Sequence, residues 1–306
     1  MPSAVLPIVC AINESYVLPL AVMLESLKKH LRANWRPVLY LIHTGIPQAR
    51  LSVISSIIET YSIIPSATQI AAAPCDSHFP PEASFPLLIP ELLPDDIQRA
   101  LFLDADMLIL DDVVKLWEIP LDECVLAAAP DTAVPYCSAP RGVNGWQRLG
   151  IPADAPYFNG GVLVIELERW RRREVTKRVH EYFKQTRDPI DFLHQGVLNA
   201  LLWNDWKCVN SRWNLLASVA GRPHDRSASD AWRQPGIVHF AGRMKPWRAP
   251  IGGPFDVAYR KVLESLLPLI PTEPSSMRDR LNSLYDRYLR TTLYPVEQYL
   301  WRRRLL

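Results

Sequence analysis

Along the first half of the chain, short apolar runs of strand length alternate with stretches whose apolar residues return every three to four positions. The runs are residues 5–12, 37–43, 67–73, 100–104 and 124–129. Between them, Leu20, Met23, Leu24 and Leu27 follow the i, i+3, i+4, i+7 spacing of one helix face, and so do Ile54, Ile57, Ile58 and Tyr61. The second half adds a strand at 161–167, a basic helix at 168–184, a helix at 192–203, and strands at 207–209 and 236–240. Buried runs alternating with helices predict an α/β fold with a mostly parallel central sheet, covered on both faces. In such sheets a ligand sits outside the carboxyl ends of the strands. The polar residues that follow strands are therefore the ones to read: Asn13, Glu14 and Tyr16, then Asp104 and Asp106, then Asp131.

From about residue 271 the pattern changes. PTEPSS reads as a linker, and beyond it Leu281, Leu284, Tyr285, Tyr288 and Leu289 mark one helical face. Residues 277–306 hold seven arginines against three acids, with Tyr294, Tyr299 and Trp301 among them. This divides the chain into a domain over 1–255 and a helical basic extension over 256–306. The extension has two readings: attachment to an anionic membrane surface, or a helix packed on the domain with solvated arginines.

Composition narrows the class without choosing it. Hydrophobic residues make up 48% and charged residues 22% of 306, ordinary for a globular chain, and 28 prolines predict many irregular connections. A net charge of +2 gives no general argument for nucleic-acid binding. Five scattered cysteines without a CxxC pair fit free thiols in a reducing cytoplasm better than a disulfide framework. The first apolar run lacks a basic leader and reads as a strand, and no apolar run approaches the ~20 residues needed to span a bilayer. The expected location is cytoplasmic, with the tail as a peripheral attachment to the inner face of the membrane.

Chemistry concentrates at Asp104-Ala105-Asp106. A bare DxD triplet is weak, and Asp111-Asp112 a few residues on read as capping residues. This triplet, however, lies between Ala100-Leu101-Phe102-Leu103 and Met107-Leu108-Ile109-Leu110. Charges framed by apolar runs cost several kcal/mol unless compensated. Mg²⁺ or Mn²⁺, which takes one or two carboxylates together with substrate phosphates, supplies that compensation.

The segment RALFLDADMLILDDVVKLW resembles the DxD region of glycosyltransferase family 8, the retaining galactosyl- and glucosyltransferases related to glycogenin. Further blocks follow in order: LLIPELLP, Tyr157-Phe158-Asn159-Gly160-Gly161-Val162, Gln195-Gly196-Val197-Leu198-Asn199, Asn210-Ser211-Arg212-Trp213-Asn214, and His239-Phe240-Ala241-Gly242-Arg243-Met244-Lys245-Pro246-Trp247. The resemblance covers roughly residues 5–250. It implies a single GT-A, Rossmann-like domain that binds a nucleotide-sugar. It implies transfer of a hexose, with retention, from UDP-glucose or UDP-galactose to a saccharide, glycolipid or glycoprotein acceptor. On the family's pattern Asp104, Asp106 and His239 hold the metal, while Lys245 and Gly242 meet the diphosphate. Ala11, Asn13 and Tyr16, with Ala105, line the nucleoside side; Tyr16 has a second reading, packing on the first helix. Asp131, Asn159, Gly160 and Gln195 face the sugar, with Gln195, Asp131 and His194 nearest the chemistry.

Three departures bear on activity. The family's Asp-Gln-Asp is His194-Gln195-Gly196 here, with Asp191 the nearest carboxylate. The stretch Ser84 to Ile89 has no basic residue where the family carries one, and Asn13 replaces an early acid. These keep open an alternative, a sugar-nucleotide-binding relative with weak or lost transfer.

Overall fold

The computed structural model describes residues 3–72, 81–186, 190–217, 230–243, 245–249 and 251–269. Residues beyond 269, with the basic tail expected there, lie outside it. Among the described residues ten strands form two sheets. The larger has seven in the order β3-β2-β1-β4-β7-β6-β8. They are β1 (Ala4–Ala11), β2 (Trp35–Ile42), β3 (Glu59–Ile63), β4 (Arg99–Leu103), β6 (Leu126–Pro130), β7 (Phe158–Glu166) and β8 (Trp206–Cys208). The smaller sheet joins β5 (Met107–Ile109), β9 (Leu215–Leu216) and β10 (Ile237–His239) in the order β5-β10-β9. The mostly parallel sheet expected from the apolar runs is present, with β7 alone running antiparallel to its neighbours β4 and β6.

Helix Val17–His30 buries Leu20, Met23, Leu24 and Leu27 against one face of the large sheet, the stripe that the spacing picked out. Helix Leu193–Leu202 and helix Val175–Gln185 belong to the core on the opposite face. Each fully buried side chain of leucine size contributes roughly 1.5–3 kcal/mol. The two cores together fix the strand ends between them.

Three local expectations are corrected. Residues 67–73 were expected to form a strand, but Ala67–Ala72 is a helix. Ser66 accepts from the Gln69 N–H at 3.2 Å, and the Gln69 side chain accepts from the Ser66 N–H at 2.9 Å. That capping box, followed by strong helix formers, outweighs the apolar run. The helix read through Tyr61 ends at Ile57, and the β-prone Glu-Thr-Tyr-Ser-Ile pairs with β2 as the edge strand β3. The basic helix expected over 168–184 is two helices, Leu167–Arg172 and Val175–Gln185, broken where Glu174 takes a φ of 49°.

Helix Pro254–Leu266 belongs to the main core. It lays Phe255, Tyr259, Leu263 and Leu266 into the cluster that holds helix Val17–His30. Buried Asp256 and Arg260 pair at 3.2 Å, and Arg260 also donates to the Pro246 carbonyl at 2.7 Å. This helix thereby fixes the Lys-Pro-Trp loop.

Candidate active site

Asp104 extends β4: its N–H donates to the Gly161 carbonyl on β7 at 2.8 Å. Ala105 then turns the chain out of the large sheet, and residue 107 opens β5 in the small one. β10 lies antiparallel to β5, with His239 opposite Met107 and the Phe240 N–H donating to the Asp106 carbonyl at 2.9 Å. A strand more than 130 residues downstream thus delivers His239 to the DxD segment. The His239 Nε2 lies 3.2 Å from Asp106 Oδ1 and 3.7 Å from Asp104 Oδ2. One ligand atom from each of the three falls within 4.8 Å of the others. Gly161 is required at this spot, because a Cβ there would sit 2.5 Å from His239 Cε1 and 2.8 Å from Asp104 Oδ2.

The charges are unbalanced. Burial and the neighbouring Asp106 charge push the Asp104 carboxyl above the usual carboxylate range. Burial pushes Asp106 the same way, but His239 and Lys245 outweigh it and hold that carboxyl below the range. Burial lowers the His239 imidazole, and Asp106 and Asp104 more than offset this, leaving it above an ordinary histidine. Two crowded acids and one imidazole form a donor set suited to a divalent cation. The tautomer fits as well. His239 Nδ1 lies 3.0 Å from Asn214 Oδ1, so an Nδ1–H donated there leaves the Nε2 lone pair facing the carboxylates.

Asn214 was not among the residues expected to form the site, although it lies in the Asn210 to Asn214 block. It connects two halves of a buried polar chain. Its Nδ2 donates to Asn159 Oδ1 at 2.8 Å, and Asn159 Nδ2 donates to Asp131 Oδ2 at 2.8 Å. Asp131 Oδ2 also accepts from Gln195 Nε2 at 3.1 Å, and Gln195 Oε1 accepts from the Gly160 N–H at 2.9 Å. Asp131 Oδ1 accepts from the N–H groups of Ala133 and Val134. Asn199, which closes the Gln195 to Asn199 block but was not among the expected site residues, pins the entry of β7 by bonding both the N–H and the carbonyl of Phe158.

Two cavities meet here. One of about 750 Å³ is lined by Asp131, Asn159, His194, Gln195 and Gly242 together with the acids. The other, of about 250 Å³, lies at the end of β1 and is lined by Ala11, Asn13, Tyr16 and Pro86. Asp104, Asp106 and His194 border both. The ring nitrogens of His194 face the carbonyls of Ala83 at 3.0 Å and Gly160 at 3.3 Å. Lys245 is buried, bonded to Asp106 and to the Phe240 carbonyl. Trp247, two residues on, stacks on Tyr259 and meets Tyr16 edge-on at 5.7 Å. Tyr16 therefore both packs and lines the smaller cavity. Asn13 accepts from Ser15 and starts the turn that follows β1.

This arrangement, with a carboxylate pair at the seam of a large and a small sheet, is the GT-A fold. The crystal structure of the galactosyltransferase LgtC, in complex with donor and acceptor sugar analogs, superposes with a TM-score of 0.72 at 24% identity, covering 90% of this chain and 99% of that one. The bifunctional glycosyltransferase WbbM gives 0.71 at 17% identity, covering 94% of this chain and 52% of WbbM. The sequence profile of glycosyl transferase family 8 matches residues 7–250, and the chain belongs to that family. General stress protein A of Bacillus subtilis is 28% identical over 60% of this chain and 65% of its own length. A probable galacturonosyltransferase-like protein (number 10) of Arabidopsis thaliana is 30% identical over 55% of this chain. The chain thus spans less than two thirds of the first and 49% of the second. Among the described residues no helix is long and apolar enough to cross a membrane.

Proposed function

We propose that the protein is a retaining hexosyltransferase that moves glucose or galactose from a UDP-sugar to a hydroxyl of a glycan or glycoconjugate. The observation that carries this reading is the position of the Asp104, Asp106 and His239 cluster at the junction of the two cavities. A nucleoside in the smaller one and a sugar in the larger place the diphosphate between them. Mn²⁺ or Mg²⁺ held by Asp104, Asp106 and His239 supplies the positive charge that a departing diphosphate requires. Lys245 adds a second fixed charge, and Gly242, at a φ of 86°, opens the backbone beside it.

The residues facing the sugar favour positioning over covalent chemistry. Asp131 already accepts four hydrogen bonds, and both ends of the Gln195 amide are engaged. Neither offers a free nucleophile to the anomeric carbon. A front-face displacement suits this wall: the acceptor hydroxyl attacks from the side that the diphosphate leaves, and gives its proton to the departing phosphate oxygen. Residues 1–255 together with the packed helix Pro254–Leu266 form the catalytic unit in this reading. The basic tail would bring it to an anionic membrane surface carrying the acceptor.

A second reading is favoured by His194, whose ring nitrogens face backbone carbonyls where the family has a carboxylate. It is a relative that binds the nucleotide-sugar and turns it over weakly or not at all. Thermal shift with UDP compounds, with and without Mn²⁺, followed by UDP release with candidate acceptors, tests both. Metal-dependent stabilisation with UDP release supports transfer, and stabilisation without release supports the binding protein. Absence of any metal-dependent shift defeats both.

A further inference from the structure

Four non-glycine residues among the described ones adopt positive φ, and two of them touch. Arg141 has a φ of 69° and Phe192 a φ of 55°, and the Arg141 guanidinium carbon lies 4.3 Å over the centre of the Phe192 ring. Arg141 is third in the turn from Ala139 to Gly142, which is closed by the Gly142 N–H donating to the Ala139 carbonyl at 2.8 Å. With Pro140 second, positive φ at the third position belongs to glycine or asparagine. Phe192 precedes helix Leu193–Leu202, and its carbonyl accepts the Gln195 N–H at 2.8 Å. A residue with a Cβ keeps such a backbone only where its surroundings impose it, and such positions gather at functional sites.

Both residues line the larger cavity, the one that Asp104, Asp106 and His239 also border. The other charges there are mostly occupied. Asp131 is saturated, and His239 is held by Asp106. Asp191 lies on the same wall as Phe192. Among the described residues, no carboxylate lies within ion-pair distance of Arg141. A guanidinium held over a ring spends no N–H donor on it, which leaves those donors for a carboxylate or phosphate.

We propose that Arg141 and Phe192 form a subsite for an anionic substituent, a carboxylate or a phosphate, on one of the two sugars of the reaction. Asp191, on the same cavity wall, takes a hydroxyl of that sugar. The proposal rests on the transferase reading and names the substrate class of its larger cavity.

The full chain with Mn²⁺ is assayed in two arms. In the donor arm, UDP release is compared for UDP-glucose and UDP-galactose against UDP-glucuronate and UDP-galacturonate. In the acceptor arm, neutral saccharides are compared with the same rings bearing a carboxylate or a phosphate. One arm is expected to show a preference of about 10–100-fold in kcat/KM for the charged member, the range of a charge-assisted hydrogen bond. Arg141→Gln should reduce that preference to about twofold or less, and Arg141→Lys should keep part of it. The arm that responds identifies which sugar carries the charge. Thermal shift over the same panel makes the comparison without turnover.

Equal treatment of charged and neutral members in both arms overturns the proposal, as does a preference that survives Arg141→Gln. Arg141→Gly separates function from structure. Glycine accepts the left-handed backbone, so the variant should melt at or a few degrees above the wild-type temperature while losing the preference. A lower melting temperature would make the pair a structural clasp and overturn the proposal. Plain UDP carries neither sugar, so its metal-dependent shift in the wild type tests the transferase reading separately.

Discussion

Asp106 and Asp131 both follow hydrophobic strands and both are buried, yet the protein treats them oppositely. Asp131 is surrounded by donors that the chain supplies: two backbone N–H groups and the amides of Asn159 and Gln195. Asp106 shares its space with a second carboxylate, and its charge is matched by Lys245 and His239. The first environment is complete within the protein and holds a wall rigid. The second leaves Asp104 crowded and pushed toward protonation, a demand that an added cation relieves. A buried acid with its own donors is scaffold, and a buried acid facing another acid is a place for a ligand.

The largest expected effect strikes the crowded corner. Asp106→Asn keeps the shape and part of the bonding to Lys245 and removes the charge. Metal-dependent stabilisation by UDP should disappear, and transfer should fall by at least about 10²–10³-fold. Unchanged metal dependence would place the ion elsewhere and break the comparison.

Asn214→Ala leaves all three proposed ligands in place and frees the His239 ring from its partner. Metal affinity should fall about 10–100-fold, as it does when a ligand histidine loses its orienting hydrogen bond. Titration of the UDP-dependent shift with Mn²⁺ measures it. A loss as complete as that of Asp106→Asn would make Asn214 part of the first coordination sphere.

The smallest effect on metal binding should come from Asp131→Asn. The new NH₂ group faces donors, costing about 1–3 kcal/mol of stability and disturbing the wall proposed to face the sugar. The metal-dependent UDP shift should stay within about twofold, because the disturbance reaches His239 only through Asn159 and Asn214. Transfer should fall much further than binding. Equal loss of both would show one coupled site rather than two corners.

Local signals carried much of this molecule. The stripe from Leu20 to Leu27, the apolar frame of Asp104-Ala105-Asp106 and the ordered blocks through Trp247 are all legible in the chain. The capping box at Ser66 and Gln69 was equally legible, and it outweighs the apolar run that suggested a strand there. Asn214 was hard to find for a different reason. A buried asparagine and a turn asparagine are the same letter, and only the approach of β9 and β10 decides which it is.

The sequence by itself determined which segments form strands and helices over most of the chain, and that a charged triplet lies between buried runs. Both follow from periodicity and from the cost of burying charge, which neighbouring residues alone set. The tertiary structure decided that β10 pairs with β5, so that His239 meets Asp106. It also decided that Gly161 leaves room for that meeting, and that Arg141 and Phe192 face one another across a cavity wall. Those outcomes depend on distances between residues far apart in the chain, which only the packing of two sheets sets.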